Sequence, residues 1–215
     1  MLVKNRMTRN PLTIEVDESL SGAHQYMEQQ QIRHLPVLDK SGKMVGLVTE
    51  DDLLKAEPSE ATLLSVWEIH SLLTKVKVKD VMVREVITTT EDTPIEEAAH
   101  LLLEHKIGCL PVMREGRLVG IITESDLFQT FMELFAARQK GLRITLEVPD
   151  REGELALVAQ AIAEQGGNIL ASGVFLAEDP VKSGLVFKVR NVDRQKLMDT
   201  LAGIEGARIL DVREM

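Results

Sequence analysis

The sequence predicts a mixed α+β and α/β protein, built as a duplicated module followed by a smaller βαββαβ sandwich. Three observations predict it. A shift of 75 positions lays residues 78–112 over 3–37, and after one deletion a shift of 74 lays 116–127 over 42–53. From Leu142 onward the pattern of apolar residues changes to a different one. The 215 residues are 44% hydrophobic yet only 3% aromatic, so the cores are expected to be aliphatic. That length and balance fit one or two folded domains.

The repeat is the strongest of these signals. Identical pairs include Met7/Met82, Thr13/Thr88, Asp17/Asp92, Ala23/Ala98, Ile32/Ile107 and the triplets Leu35-Pro36-Val37/Leu110-Pro111-Val112. The second block adds Gly46/Gly120, Thr49/Thr123, Glu50/Glu124, Asp52/Asp126 and Leu53/Leu127. Each copy reads as a short extended stretch (12–16, 87–90), then a helix beginning near Ser19 or Pro94. Ser19 is an N-cap type, and proline is tolerated in a first helical turn. Ala23 with Met27, and Ala98 with Leu102, recur at four residues on one helix face. Two short apolar strands follow, 35–38 with 44–48 and 110–113 with 118–122, around polar hairpin turns. A last helix starts at Thr49 or Thr123.

One copy of about 50 residues buries too little apolar area to stand comfortably alone, so the two are expected to stack with pseudo-twofold symmetry. Between them, Leu63, Leu64, Trp67, Leu72 and Leu73 have mixed helical spacing and predict a connecting helix. Phe128, Phe131, Leu134 and Phe135 are expected on a helix that docks the two halves. In the second half, a strand at 142–148 leads through Pro149-Asp150-Arg151-Glu152-Gly153 to a helix with Leu155, Val158, Ala159 and Ile162 on one face. Gly166-Gly167 should stop that helix through positive φ angles. Strands at 169–176 and 184–189, a helix at 193–201 and a strand at 207–212 complete a ferredoxin-like, split βαβ order. The expected divisions are 1–57, 58–77, 78–138 and 139–215.

Lys and Arg number 25 against 34 Asp and Glu, a formal charge of -9. No basic cluster stands out to neutralise phosphates along a duplex, and aromatic platforms for single strands are scarce, so nucleic acid is not an expected partner. No run approaches the ~18 apolar residues of a membrane span. The start, MLVKNRMTRNP, lacks the apolar core of a secretory signal, and the expected compartment is cytoplasmic. The lone Cys109 excludes an internal disulfide. His100 and His105 are five apart, off a shared helix face, and no His, Cys or carboxylate set suggests a metal. Nucleophile elbows, Walker loops and GxGxxG loops are absent, which argues against an enzyme.

The stretches Gly-Leu-Val-Thr-Glu-Asp-Asp-Leu (46–53) and Gly-Ile-Ile-Thr-Glu-Ser-Asp-Leu (120–127) resemble the closing motif of cystathionine-β-synthase (CBS) domains. Ile32-Arg-His-Leu-Pro-Val37 and Ile107-Gly-Cys-Leu-Pro-Val112 resemble the preceding strand of that family. Residues 149–153 and Gly167-Asn168-Ile169 resemble an ACT domain. The order CBS pair (Bateman module) then ACT, with Ser65-Val-Trp-Glu-Ile69 between the repeats, resembles the bacterial acetoin-utilisation B-type proteins.

The resemblance implies adenosine derivatives (AMP, ADP or ATP, with S-adenosylmethionine as a further candidate) in clefts between the repeats. Asp52 and Asp126 each offer two oxygens to a ribose diol, and Thr49 and Thr123 place a hydroxyl and helical amides near a phosphate. Adenine would lie on Thr13, Thr88, Ile32, Leu35, Pro36, Ile107, Cys109, Leu110 and Pro111. Arg33 and His34 in the first copy correspond to Gly108 and Cys109 in the second, so two unequal sites are expected, with anionic ligands preferring the one near Arg33. A Thr-x-x-Asp helix start is equally a capping box, and the two readings stand level on residue types alone.

For the ACT-like half, the resemblance implies a small amino-acid effector near Asp150, Gly153, Asn168 and Ile169. A plain tight turn capped by Asp150 is the competing reading there. Both module types imply a homodimer. The combined expectation is a non-catalytic regulator sensing adenine nucleotide, acting on an unidentified protein and linked to acetoin or acetyl-CoA metabolism. The alternative is a structural adaptor with empty clefts.

Overall fold

The computed structural model describes residues 1–56 and 76–215. The body of the expected connecting helix at 58–77 lies outside the described residues. The chain forms two compact units, Met1–Leu127 and Phe128–Met215.

In the first unit both repeats take the same form. A single 3-10 turn, Val3–Asn5, leads to β1 (Thr8–Arg9), β2 (Ile14–Glu15) and α1 (Leu20–Gln30). Then come β3 (His34–Leu38), β4 (Met44–Thr49) and α2 (Glu50–Ala56). The second copy supplies α3 (Val78–Val81), β5 (Thr89–Thr90), α4 (Ile95–His105), β6 (Cys109–Arg114), β7 (Arg117–Thr123) and α5 (Glu124–Leu134). The Ser19 side chain accepts from Gly22 N and caps α1, as expected. Pro94 sits one position earlier than a first-turn proline, as the N-cap residue of α4. The extended stretches at 12–16 and 87–90 shrink to two-residue strands, each parallel to the next strand of its own copy.

The sequence repeat is not the packing unit. Val3 and Met7, at the head of the first copy, are buried among Ile95, Ala98, Leu102, Leu110, Val112 and Ile122 of the second. Val78 and Met82, at the head of the second, are buried among Ile14, Leu20, Ala23, Met27, Leu35, Val37 and Val48 of the first. The pairing follows the same exchange: β1 joins β7, and Val83 bridges Leu47 on β4. Matching ion pairs flank the two heads, Lys4 Nζ to Asp92 and Lys79 Nζ to Asp17, each at 2.7 Å. Each copy therefore completes the other's core.

One core position differs in chemistry between the copies. Ile14 is buried in the first, while its counterpart Thr89 is 6% exposed with its hydroxyl unpaired. An unmatched buried hydroxyl costs free energy that a methyl of the same shape would not. Thr89→Val is expected to raise stability by about 1 kcal/mol, read as a higher denaturation midpoint at unchanged slope.

The second unit runs β8 (Leu142–Pro149), α6 (Glu154–Glu164), β9 (Asn168–Leu176), β10 (Lys182–Arg190), α7 (Arg194–Ala202) and β11 (Arg208–Glu214). Its four strands are antiparallel neighbours in the order β11-β8-β10-β9. Alternate residues of β8 (Leu142, Ile144, Leu146, Val148) and β10 (Leu185, Phe187, Val189) point to one face and pack against Val158, Ala161, Ile162, Leu197 and Leu201 of the helices. Two expectations are corrected here. Leu155 is exposed, and the buried face of α6 is Glu154, Val158, Ala161 and Ile162. Of the two glycines ending α6, only Gly166 has positive φ; Gly167 is required because a Cβ would stand 2.6 Å from Ile162 Cγ2.

Candidate functional site

The site lies in the first unit, where strands of both copies run into helices. Thr49 ends β4 opposite His34, and Thr123 ends β7 opposite Cys109. At each junction the capping box forms. Asp52 Oδ2 accepts from Thr49 N (2.9 Å) and Thr49 Oγ1 (2.7 Å), and Asp52 N donates to Thr49 Oγ1 at 3.2 Å. Thr123 and Asp126 repeat this at 2.8, 2.8 and 3.4 Å. These bonds engage Oδ2 of each carboxylate, so the capping role uses one oxygen of the pair. The amides expected to meet a phosphate are largely committed. Glu50 N donates to Arg33 O, Glu124 N to Gly108 O, and the Asp52 and Asp126 amides to their threonines.

Both motifs line one cleft of about 930 Å³. Of the residues assigned to it from sequence, Ile32, Arg33, His34, Thr49, Asp52, Ile107, Cys109, Thr123 and Asp126 are in its wall. Thr13, Thr88, Leu35, Pro36, Leu110 and Pro111 are not. Leu35 and Leu110 are fully buried in the two repeat cores, because the pleat turns them inward. The wall also holds carboxylates that the motif reading passed over: Glu50, Asp51, Glu85 and Glu124. With Asp52 and Asp126 they make six, against three cations, Arg33, Lys55 and Lys106.

The copies differ where they meet. His34 Nε2 lies only 2.9 Å from where a Cβ on Gly108 would stand, so the side-chain-free position in one copy admits the imidazole of the other. Burial pushes the His34 pKa down and Arg33 adds to this, outweighing the opposing pull of Glu124, Asp51 and Asp52. His34 is thus neutral at pH 7, which leaves exposed Arg33 as the charged one of the two residues expected to meet a phosphate. The unfolded chain binds that proton more readily, so His34 contributes stability above its ordinary value of 6.5 and loses it on acidification. His34→Gln is expected to flatten the fall in stability between about pH 7 and pH 5, checked by denaturation at each pH. Burial pushes the Cys109 thiol up to about 12, which makes it a wall residue rather than a nucleophile.

In the second unit the expected effector residues Asp150, Asn168 and Ile169 are each engaged within the unit. Asp150 accepts from Ser183 Oγ at 2.8 Å and does not cap α6, whose N-cap residue is Gly153 at φ 91 with no side-chain cap. Asn168 faces the Arg190 guanidinium at 3.0 Å, and Ile169 packs against the core. Sequence reading missed Glu154. It looks like an ordinary first-turn acid, yet it is 3% exposed, paired through one oxygen with Arg151 and unpaired at Oε2. Among the described residues no cluster of metal-ligating side chains forms, and no helix is long and apolar enough to cross a membrane.

The family model of the CBS domain matches residues 3–59 and 78–133. The chain belongs to the CBS-domain family. A CBS domain-containing protein of Dictyostelium discoideum is 32% identical over 135 residues, 62% of this chain and 93% of that one. Enzyme relatives, such as an inosine-5'-monophosphate dehydrogenase of Methanocaldococcus jannaschii at 34% identity, match over 63% of this chain but only 25% of their own length. Among solved structures, the CBS domain pair of protein MJ0100 in complex with 5'-methylthioadenosine and S-adenosyl-L-methionine is 28% identical, with a TM-score of 0.52, covering 65% of this chain and 98% of that one. CBSX2 in complex with AMP is 28% identical at 0.51, covering 64% and 98%. A putative acetoin utilization protein (AcuB) from Vibrio cholerae is 34% identical at 0.53, covering 64% and 95%. All three matches cover about the share of the chain that the CBS pair occupies.

Proposed function

We propose that this CBS pair is a non-catalytic sensor of an adenosine derivative, with AMP, ADP, ATP and S-adenosylmethionine as the candidate ligands. The observation that carries it is the meeting of both Thr-x-x-Asp motifs in one cleft. A cap needs no shared cavity, whereas a ligand held between the copies does. Asp52 and Asp126 would receive the ribose hydroxyls, Ile32 and Ile107 would flank adenine, and Arg33, Lys55 and Lys106 would meet phosphate. The bound MJ0100 and CBSX2 structures support this ligand class. Ligand binding would act by favouring one arrangement of the protein over another.

The test is isothermal titration of the full chain with the four ligands, beside an Asp52→Asn, Asp126→Asn double variant. Asparagine keeps a cap acceptor, so stability should fall by less than about 1 kcal/mol, while ribose affinity is expected to drop at least tenfold. Equal affinity in the variant removes the ribose role. The adaptor reading has one observation in its favour, the completed caps in both copies, and it predicts no heat with any of the four.

The second unit reads as an ACT domain. Its strand order is that of a ferredoxin-like split βαβ, and its first turn carries the left-handed Gly153. Its edge strand β9 contains no charged residue over nine positions, which suits pairing with a second copy to give a homodimer. An amino-acid effector at that unit, an acetoin or acetyl-CoA link, the four-part division given from sequence and a cytoplasmic setting complete the proposal. The AcuB likeness supports the metabolic link.

A further inference from the structure

The cleft's wall is net negative, which disfavours polyphosphates. Its wall carries six carboxylates and three cations among the described residues, and His34, neutral by burial, does not redress the balance. Each copy supplies three of the six carboxylates, but not all at matching positions. Asp51 has Ser125 as its counterpart and Glu85 has Asn10, so two of the acids have no equivalent in the other repeat. On the cationic side, Arg33 is matched by Gly108 and Lys106 by Gln31. The helix starts offer little relief to an anion, since Glu50, Asp51 and Asp52 fill the first turn of α2 and two of its amides are already bonded.

A negative wall with low-dielectric sides raises the cost of each added phosphoryl group, and lowers that of a cationic ligand. Building on the adenosyl reading above, we propose that this cleft ranks adenosine derivatives by charge. A sulfonium adenosyl compound binds best, a nucleoside monophosphate next, and a triphosphate without a divalent cation worst. Asp51 and Glu85 set the ranking. Arg33, Lys55 and Lys106 are already outnumbered two to one by the wall's carboxylates, so one phosphoryl group is tolerated better than three.

The test is titration calorimetry of the full chain at low ionic strength with EDTA present, using S-adenosylmethionine, AMP and ATP. The expected order of affinity is the order just named, with ATP at least tenfold weaker than AMP. An Asp51→Asn, Glu85→Gln double variant, both sites exposed, should keep its melting profile and narrow the AMP-to-ATP gap by about tenfold. ATP binding as tightly as AMP in EDTA overturns the ranking and leaves the adenosyl reading standing. An unchanged gap in the variant overturns the assignment to Asp51 and Glu85. No binding of any of the three overturns the adenosyl reading itself.

Discussion

Deletion of residues 1–9 is expected to unfold the second repeat's core while leaving the first repeat's strands protected. The segment lies at the head of the first copy in sequence, but Val3 and Met7 fill the second copy's cluster at 0% and 8% exposure. Removing two buried side chains of this size costs about 2–4 kcal/mol each through lost transfer energy and cavity formation. The backbone adds to that loss. Val3 N donates to Thr93 O at 2.9 Å, Lys4 N to Glu91 O at 3.0 Å, and Ile95 N at the start of α4 to Met1 O at 3.0 Å. The sum is a large share of the 5–15 kcal/mol by which domains are usually stable. Hydrogen exchange localises the effect: α4, β6 and β7 should lose protection, and β3 and β4 should retain it. Protection lost first in β3 and β4 would contradict the exchange of head segments. A Val3→Ala, Met7→Ala double variant should show the same pattern more mildly.

That exchange was not legible in the sequence, and the reason is physical. Val3 and Val78 align inside the repeat with identical spacing, and an apolar residue carries no mark of which copy it will pack against. Local signals were legible. Ser19 marks a helix start because its hydroxyl has an amide to accept from, and the hairpins fall between their apolar runs. The Thr-x-x-Asp junctions were legible as chemistry, and the structure shows the cap reading formed within the cleft rather than apart from it. Assigning Leu35 and Leu110 to the cleft failed because neighbours on a strand face opposite ways, and those two face the core. The acidic wall was missed for another reason. Glu50 and Asp51 are far from Glu85 and Glu124 in the chain, and only the meeting of the two copies brings them to one cavity.

The same meeting of copies makes Gly46 a sensitive position. A Cβ there would stand 2.6 Å from Met82 Sδ and 2.9 Å from the Val83 carbonyl oxygen. Met82 has little room to swing away, since it is buried in the first repeat's core. Val83 cannot yield easily either, because Leu47 N donates to Val83 O and Val83 N donates to Leu47 O, both at 2.9 Å. Any side chain at 46 must therefore push the second copy's head segment away from β4. Leu47 and Val83 both line the cleft, so the displacement would open the cleft as well as the core. Gly46→Val is expected to cost about 3 kcal/mol or more, the range of severe overpacking, and to weaken ligand binding in parallel. Gly120 faces the equivalent contacts, Met7 Sδ at 2.5 Å and Thr8 O at 3.1 Å. Its backbone neighbour is slightly farther, at 3.1 rather than 2.9 Å, so Gly120→Ala should cost less than Gly46→Ala. Denaturant midpoints for the three variants test this, and a cost below about 0.5 kcal/mol for Gly46→Val would show that the head segment is not held against β4.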